Sequence, residues 1–286
     1  MSAIHPFPGA VSAAARPPTG HATGARTGGL SRRAVQFASL LACLLLWHVA
    51  ATQRVHLGLV TFANVPPPAE VLAAARALVQ SPKLLNHLGS SLMRIAVGFG
   101  LAAALGVGGG LLIGRLRVVH DALMPPLEVL RPIPAVAWIP LAILMFPSSE
   151  GSMIFITFLG ALFPILLNTI HGVEGVDARL IASARSLGTR RGRLFTEVIA
   201  PGAAPSIVTG LSIGMGTCWF CLVTAEMIAG QYGIGYYTWE SYTVQAYPSI
   251  VVGMLVIGAL GMGSSVLIRR IGDRLMPWHR PQGAGR

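Results

Sequence analysis

The chain has 286 residues, of which 53% are hydrophobic and only 11% are charged, and it carries a net charge of +11. Because soluble domains typically contain about 25% charged residues, this composition excludes an ordinary soluble domain. The basic residues lie at the ends of apolar segments and not along one continuous face, which is typical of a membrane protein, so no nucleic-acid partner is expected. The sequence therefore predicts an all-α polytopic membrane protein, and its 34 glycines allow close helix packing.

The N-terminal part combines a polar tail with a first apolar segment. Residues 1–30 contain no acidic residue and no periodic pattern, so they are predicted to be a disordered cytoplasmic tail. Arg32 and Arg33 then precede the apolar run 34–51, which could be a twin-arginine or a cleaved export signal. A run of about 18 residues is also long enough to cross a bilayer, which favours a retained first helix. Residues 31–286 are accordingly predicted to form one transmembrane domain.

Six segments approach the length of about 20 apolar residues that a membrane helix requires. A short amphipathic helix is expected at residues 69–80, in the loop after the first span. The six predicted spans are residues 34–51, 92–114, 126–146, 152–172, 203–227 and 249–269.

The third predicted span is rich in proline, at positions 125, 126, 132, 134 and 140. Proline removes a backbone donor, and the freed carbonyl groups then need partners in the protein or a wet cavity. This span is therefore either a kinked packing helix or a broken helix that lines a pathway.

The distribution of basic residues predicts the orientation. Most arginines lie in the N-terminal tail, in the loops 115–125 and 173–202, and in the C-terminal tail, whereas the other side carries only Arg54, Arg76 and Lys83. The positive-inside rule then places both termini and the loop 173–202 in the cytoplasm of a bacterial cell, with the chain in its inner membrane.

The loop 173–202 contains the densest internal basic segment, with Arg179, Arg185, Arg190, Arg191 and Arg193. A helix is predicted from Asp177, whose acid favours a helix N-terminus, to Leu187, with Gly188 as a left-handed end. Thr189 is expected to cap a second helix through Ile199, and Pro201 to lie in the first turn of the next element. The arginines could anchor lipid headgroups or dock a soluble partner.

This segment resembles the coupling loop of ABC importer permeases, whose motif is Glu-Ala-Ala, three residues, Gly, nine residues, Ile, one residue, Leu-Pro. Ala182, Ser183 and Ala184 occupy the place of the triplet, and the spacings of Gly188 and Pro201 match the motif, whereas its acid and its leucine are absent. Other segments resemble the nitrate/sulfonate/taurine branch of these permeases, while the turn 146–150 departs from it. The resembling segments are Leu88 to Arg94, Arg131 to Leu141, Pro164 to Thr169, Gly172 to Asp177, Gly210 to Gly214 and Ala225 to Ile228.

The resemblance implies a type I importer fold with cytoplasmic coupling helices. It implies two permease copies, expected to form a homodimer, two separate ATPase subunits and an external binding protein that delivers a small anion such as a sulfonate, taurine or nitrate. The coupling loop 177–201 would then place Ala182, Ser183, Ala184, Arg185 and Gly188 against the ATPase, close to Pro201. The chain has no phosphate-binding loop of its own, so it is expected to need no cofactor and to be no enzyme.

Charged and polar residues within spans are candidates for the translocation path, because such groups are costly in lipid. The candidates are Arg131, Asn168, Trp219 and Glu226. Arg94 and Ser212 are further charged or polar residues that fall near or within the spans. Arg131 could form paired hydrogen bonds with an oxyanion. For Arg131 and Glu226 an interhelical ion pair or interfacial snorkelling is the alternative.

Two other classes of protein remain open from the residues alone. A stand-alone secondary transporter or channel would need midplane acids and usually an internal repeat, and a membrane enzyme would need a catalytic constellation. Cys218 and Cys221 could form a redox motif, but their apolar surroundings favour plain helix packing. No cluster of residues has metal-ligand spacing.

Overall fold

A computed structural model describes residues 29–56, 58 and 61–278, which divide into two compact units between Leu46 and Trp47. The predicted disordered tail lies outside the described residues, except for Gly29 and Leu30, which belong to the first helix. Within the described residues the fold is all helical, with a single isolated β-bridge between His56 and Thr61. The helices are α1 (Gly29–Thr52), α2 (Pro68–Gln80), α3 (Lys83–Arg115), α4 (Arg117–Leu130), α5 (Ile139–Met145), α6 (Ser149–Glu174), α7 (Ala178–Ser186), α8 (Arg191–Leu194), α9 (Ala200–Ala229), α10 (Ile234–Thr243) and α11 (Tyr247–Leu275).

Five stretches are long and apolar enough to cross a membrane, and a bent helix pair makes a sixth candidate. Five predicted spans fall within α1, α3, α6, α9 and α11, and the third, residues 126–146, overlaps the bent pair α4–α5. The second span begins at Lys83, nine residues earlier than predicted, because the polar His87 and Ser91 in its first turns are buried and hydrogen-bonded inside the protein. Hydropathy alone places these residues in a loop. The amphipathic helix expected at 69–80 is α2, which buries Val71 and Leu78.

Helices α3 and α6 pack along a seam of glycines, Gly98, Gly106, Gly110 and Gly114, which we call the glycine seam. A Cβ atom on Gly98 would lie 2.8 Å from Thr157, and one on Gly110 would lie 2.5 Å from Thr169. Because the contacts advance in the same direction along both helices, α3 and α6 are parallel. The chain must therefore return from the end of α3 to the start of α6, at the opposite end of the bundle. The intervening α4–α5 pair makes this return along the length of the bundle.

Helix α9 runs antiparallel to α6, and α11 runs antiparallel to α9. Gly160 lies against Cys221, whereas Gly210, near the other end of α9, lies against Asn168. Cys218 and Cys221 are free, buried thiols in the apolar core, as the packing interpretation predicted. Gly272, near the end of α11, lies against Val208.

The bundle of residues 47–286 consequently has two distinct ends. The glutamate end carries Glu150 and Glu226, together with the first turns of α3 and the helix α10. The arginine end carries Arg115, residues 175–200 and the last turns of α11. Of the predicted site residues, those of the coupling loop lie at the arginine end and Glu226 lies at the glutamate end.

Candidate functional site

The predicted coupling loop begins with a capped helix at the arginine end. Asp177 precedes α7, and its side chain accepts a hydrogen bond of 2.8 Å from the backbone N–H of Arg179. The helix ends at Gly188, which has φ +75°. The N–H groups of Gly188 and Thr189 donate to the carbonyls of Arg185 and Ala184, at 2.9 and 3.1 Å. This double closure is the glycine-dependent helix end that the sequence predicted.

The second half of the loop differs from the prediction. Thr189 does not cap a helix: α8 begins at Arg191, and the residue before it makes no side-chain cap. The chain then continues through a π-helical turn, residues 195–199, directly into α9. Pro201 lies in the first turn of α9, as expected, but it has no N–H to donate to the carbonyl of Glu197. The π-helical turn therefore falls just before the helical hydrogen bond that Pro201 cannot form. Helix α8 is the first turn of one continuous helical segment that runs through this π turn into α9.

Helix α7 has an inner and an outer face. Ile181 and Ala184 pack on a buried cluster that includes Val173 and Leu194. Ala182, Ser183, Arg185 and Gly188 are exposed, whereas Ala184 and Pro201 are half-buried. One face of α7 therefore packs on the bundle, and the other face is exposed.

Two leucines on the outer face were not identified from the sequence. Leu180 and Leu187 are 59% and 86% exposed. Their spacing of seven residues, with Ser183 between them, places all three on one side of a helix, and this spacing could have revealed them. Together with Ala182 and Gly188, these residues form a small apolar edge, which we call the α7 edge.

The proline-rich span is a broken helix and not a kinked one. Helices α4 and α5 are bent by 81°, with a short 3₁₀ turn at Ala135–Trp138 between them. The break begins at Arg131 and includes Pro132 and Pro134, whose rings prevent a continuous helical ladder. The backbone groups are partly satisfied by short-range bonds, such as that from the N–H of Ala137 to the carbonyl of Pro134, at 2.9 Å.

Arg131 is exposed and lines a cleft of about 310 Å³ between this break and the helices α6 and α9. Gly160 and Pro164 line it from α6, and Thr217 and Cys221 line it from α9. Arg131 is the one charged residue among the described residues of the lining. We call this space the Arg131 cleft.

Glu226 forms the predicted type of interhelical ion pair, but its partner is Arg94 and not Arg131. The two side chains are 2.8 Å apart and are 0% and 1% exposed. Arg94 also binds Glu150 through two hydrogen bonds and donates to the carbonyl of Tyr232, at 2.7 Å. Ser91 donates to Glu226, at 2.8 Å. A buried charge pair is stable only when its remaining donors and acceptors are satisfied, and that condition is met here.

The same carboxylate fixes the turn between α9 and α10. The N–H of Gly235 donates to Glu226, at 2.9 Å, and the N–H of Gly233 donates to Nδ1 of His87, at 3.2 Å. Gly233 has φ +130°, and a Cβ atom at this position would collide with the carboxylate of Glu226. The ion pair, the turn and the first turns of α3 are thus one packed unit at the glutamate end.

The four predicted pathway residues do not come together. Only Arg131 lines the Arg131 cleft. Trp219 is buried and donates to Ser264 of α11, at 2.9 Å. Asn168 donates to the carbonyl of Pro164, at 2.8 Å, and the Ser212 hydroxyl donates back to its own helix. No group of potential metal ligands occurs within the described ranges.

A bundle of long apolar helices with an anchored, basic protrusion at one end and a cleft at a broken helix defines an integral-membrane transport subunit. The chain belongs to the family described as binding-protein-dependent transport system inner membrane component, which matches residues 96–280. It is therefore a permease subunit of an ABC importer in the inner membrane, not an enzyme, and the predicted type I permease fold is confirmed. This membership excludes the stand-alone transporter and the membrane enzyme.

Individual relatives agree with this membership. The chain is 36% identical over 208 residues to a nitrate import permease protein of Synechocystis sp., covering 70% of this chain and 76% of that protein. It is 35% identical over 194 residues to a nitrate import permease protein of Leptolyngbya laminosa, covering 68% and 70%. It is 33% identical over 256 residues to a taurine transport system permease protein of Escherichia coli, covering 87% and 92%.

Proposed function

We propose that this permease imports a small oxyanion, such as nitrate or a sulfonate like taurine, and that the α7 edge transmits ATP hydrolysis to the bundle. The observation that carries the proposal is the exposed α7 edge. Gly188 ends helix α7 at this edge, and the opposite face of α7 packs on the buried cluster of the bundle. Family membership implies a separate ATPase and a substrate-binding protein as partners. The relatives that transport nitrate and taurine support an anionic solute.

The docking surface is proposed from exposure and shape. Leu187 and Leu180 leave large apolar areas in water, which favours burial against another protein. Ala182 and Ser183 are small, so a groove on the ATPase could approach the helix closely. Arg185 would supply a charge at the rim of this contact. In the proposed homodimer, two permease copies and two ATPase subunits would form this contact twice.

The orientation follows from the two ends of the bundle. An ATPase is cytoplasmic, so the arginine end with the α7 edge is proposed to face the cytoplasm, together with both termini. The basic residues of this end agree with the positive-inside rule and with contact to membrane lipid. The glutamate end would then face outward, toward the binding protein.

Reporter fusions test this orientation directly. Fusions after Arg117, Arg193 and Arg280 are expected to give cytoplasmic signals, and fusions after Lys83 and Tyr242 external ones. Paired alkaline phosphatase and fluorescent reporters at each point provide the measurement. An external signal after Arg193 would contradict both the orientation and the docking surface.

The Arg131 cleft is proposed as part of the translocation path. A guanidinium presents a planar pair of donors that matches the oxygens of nitrate or a sulfonate. The cleft lies at a helix break, where exposed backbone groups can be satisfied by water or solute. Glu226, Trp219 and Asn168 are engaged inside the bundle, so Arg131 is the proposed contact.

Substitutions at Arg131 separate a pathway role from a structural one. We expect uptake per assembled complex to fall in the order wild type, Arg131→Lys, Arg131→Leu. Lysine keeps the charge without the planar fork, and leucine removes both; loss of a charged hydrogen bond of about 1.5–3 kcal/mol predicts roughly a tenfold or larger decrease for leucine. Radiolabelled solute uptake, normalised to complex captured through a tagged ATPase, is the measurement. Unchanged normalised uptake in Arg131→Leu would remove Arg131 from the path.

A further inference from the structure

A second cleft lies at the arginine end and is lined by three arginines from three separate elements. Arg115 comes from the last turn of α3, Arg185 from the last turn of α7, and Arg191 from the start of α8. Thr189 adds a hydroxyl group. The cleft has a volume of about 630 Å³, which is large enough for a phosphate group and part of the molecule that bears it. We call it the arginine cleft.

The arginine cleft concentrates positive charge without an internal counter-charge. Its described lining contains no carboxylate, and none of the three guanidinium groups forms an ion pair within the described part of the chain. Like charges in one cleft repel each other, and this repulsion is relieved when an anion binds between them. The arrangement therefore favours a multiply coordinated anion.

Two acids lie near Arg115, but neither forms an ion pair with it in the described part of the chain. Arg115 also lines an adjacent cleft with Asp121 and Glu174. Both carboxylates lie against His120, at 3.3 and 3.6 Å, and neither forms an ion pair with Arg115. The Arg115 guanidinium is therefore available to a ligand in the arginine cleft.

The arginine cleft lies at the end of a candidate membrane span, which makes a lipid phosphate one source of the anion. Arg115 is the last residue of a candidate membrane span, and Leu116, which also lines the cleft, is 46% exposed. Phospholipid phosphates lie at this depth, and basic pockets at the ends of spans bind their headgroups. Leu116 would contact the first methylene groups of an acyl chain.

We propose that the arginine cleft binds a phosphate group through Arg115, Arg185 and Arg191. Guanidinium groups match phosphate oxygens in paired hydrogen bonds, and three of them around one site would favour phosphate over carboxylate. The phosphate belongs either to an anionic phospholipid or to a soluble phosphate. This inference concerns a bound ligand of the permease and does not depend on the solute that is imported.

The test uses Arg115→Gln and Arg191→Gln, because Arg185 is also assigned to the ATPase contact. The matched control is Arg193→Gln, which removes the same charge from the same loop but does not line the cleft. In a lipid arm, the full-length permease is purified in mild detergent with its ATPase, and bound phosphatidylglycerol is titrated by native mass spectrometry. In a soluble arm, inorganic phosphate and pyrophosphate are titrated against lipid-depleted complex by calorimetry.

We expect each cleft variant to weaken binding by about fivefold, and both together by about 25-fold, whereas the control changes it by less than about twofold. Binding of phosphatidylglycerol with this pattern identifies a lipid phosphate, and binding of inorganic phosphate or pyrophosphate with this pattern identifies a soluble one. Equal effects of Arg115→Gln and Arg193→Gln, or no saturable binding in either arm, would overturn the proposal. Transport is not the readout, so failure of this site is distinguishable from failure of the ATPase contact.

Discussion

Gly188→Val is expected to separate the permease from its ATPase while the membrane bundle remains folded. Gly188 has φ +75°, and adopting this conformation costs a residue with a Cβ atom about 1–2 kcal/mol, more when it is β-branched. No atom lies within 4 Å of the place that a Cβ would take, so the cost is confined to the backbone. The helix end of α7 would therefore open, and the α7 edge would lose its shape. We expect at least about tenfold less ATPase in pull-downs, and uptake reduced in parallel.

Gly192→Val is the matched control for this prediction. Gly192 lies four residues further along the same loop, is exposed, has open space where a Cβ would lie and is not among the glycines with positive φ. Valine there adds the same side chain without a helix-propensity cost, because glycine is the poorer helix former of the two. We expect near-normal co-purification. Equal losses in the two variants would show that bulk in the loop, and not the conformation of Gly188, controls docking.

Arg94→Met is expected to destabilise the bundle itself. The substitution leaves Glu226 buried with a charge and no cationic partner, at a cost of about 3–5 kcal/mol. The expected result is a large loss of folded permease, measured by thermal unfolding in detergent and by the amount of complex in the membrane. Glu150→Gln is the milder comparison, because Glu150 is half-exposed and an amide oxygen can still accept from Arg94. Its cost is expected to be about 1 kcal/mol or less.

A double variant distinguishes an unpaired charge from lost packing. Adding Glu226→Gln to Arg94→Met removes the buried charge but keeps an acceptor for Ser91. We expect the double variant to be more stable than Arg94→Met alone, because the uncompensated carboxylate is gone. Further destabilisation by the sum of the single effects would show that the charge pair is not the main contribution of Arg94.

The sequence predicted those features that depend on local pattern. Hydropathy located the apolar spans, and the residue order around Gly188 predicted a left-handed helix end that the backbone confirms. The prolines indicated irregularity in the third span, but both a kink and a break were compatible with them. The 81° bend depends on how residues 131–138 pack against α6 and α9, which local pattern does not contain.

Partners that are distant in sequence were the features that could not be predicted. Glu226 and Arg94 are separated by 132 positions, and nothing in either local sequence indicates the other. Arg131 was the more obvious cation because it lies beside the prolines. The predicted cap at Thr189 was wrong because α8 begins only at Arg191, and the N–H of Thr189 instead donates to the carbonyl of Ala184 to close α7. Leu187 was overlooked because the helix from Asp177 to Leu187 was predicted without an assignment of its faces.

The glycine seam has a mechanical consequence for alternating access. The four glycines of the seam and the buried Ala102 recur at every fourth position of α3. The residues of α6 that face the glycines have the same period, namely Thr157, Ile165, Thr169 and Val173. Four residues correspond to about 6 Å of helix rise. A smaller slide would drive side chains of α6 into the backbone of α3, so intermediate registers are sterically closed. We therefore expect α3 and α6 to move together as one rigid pair in any rearrangement of the bundle.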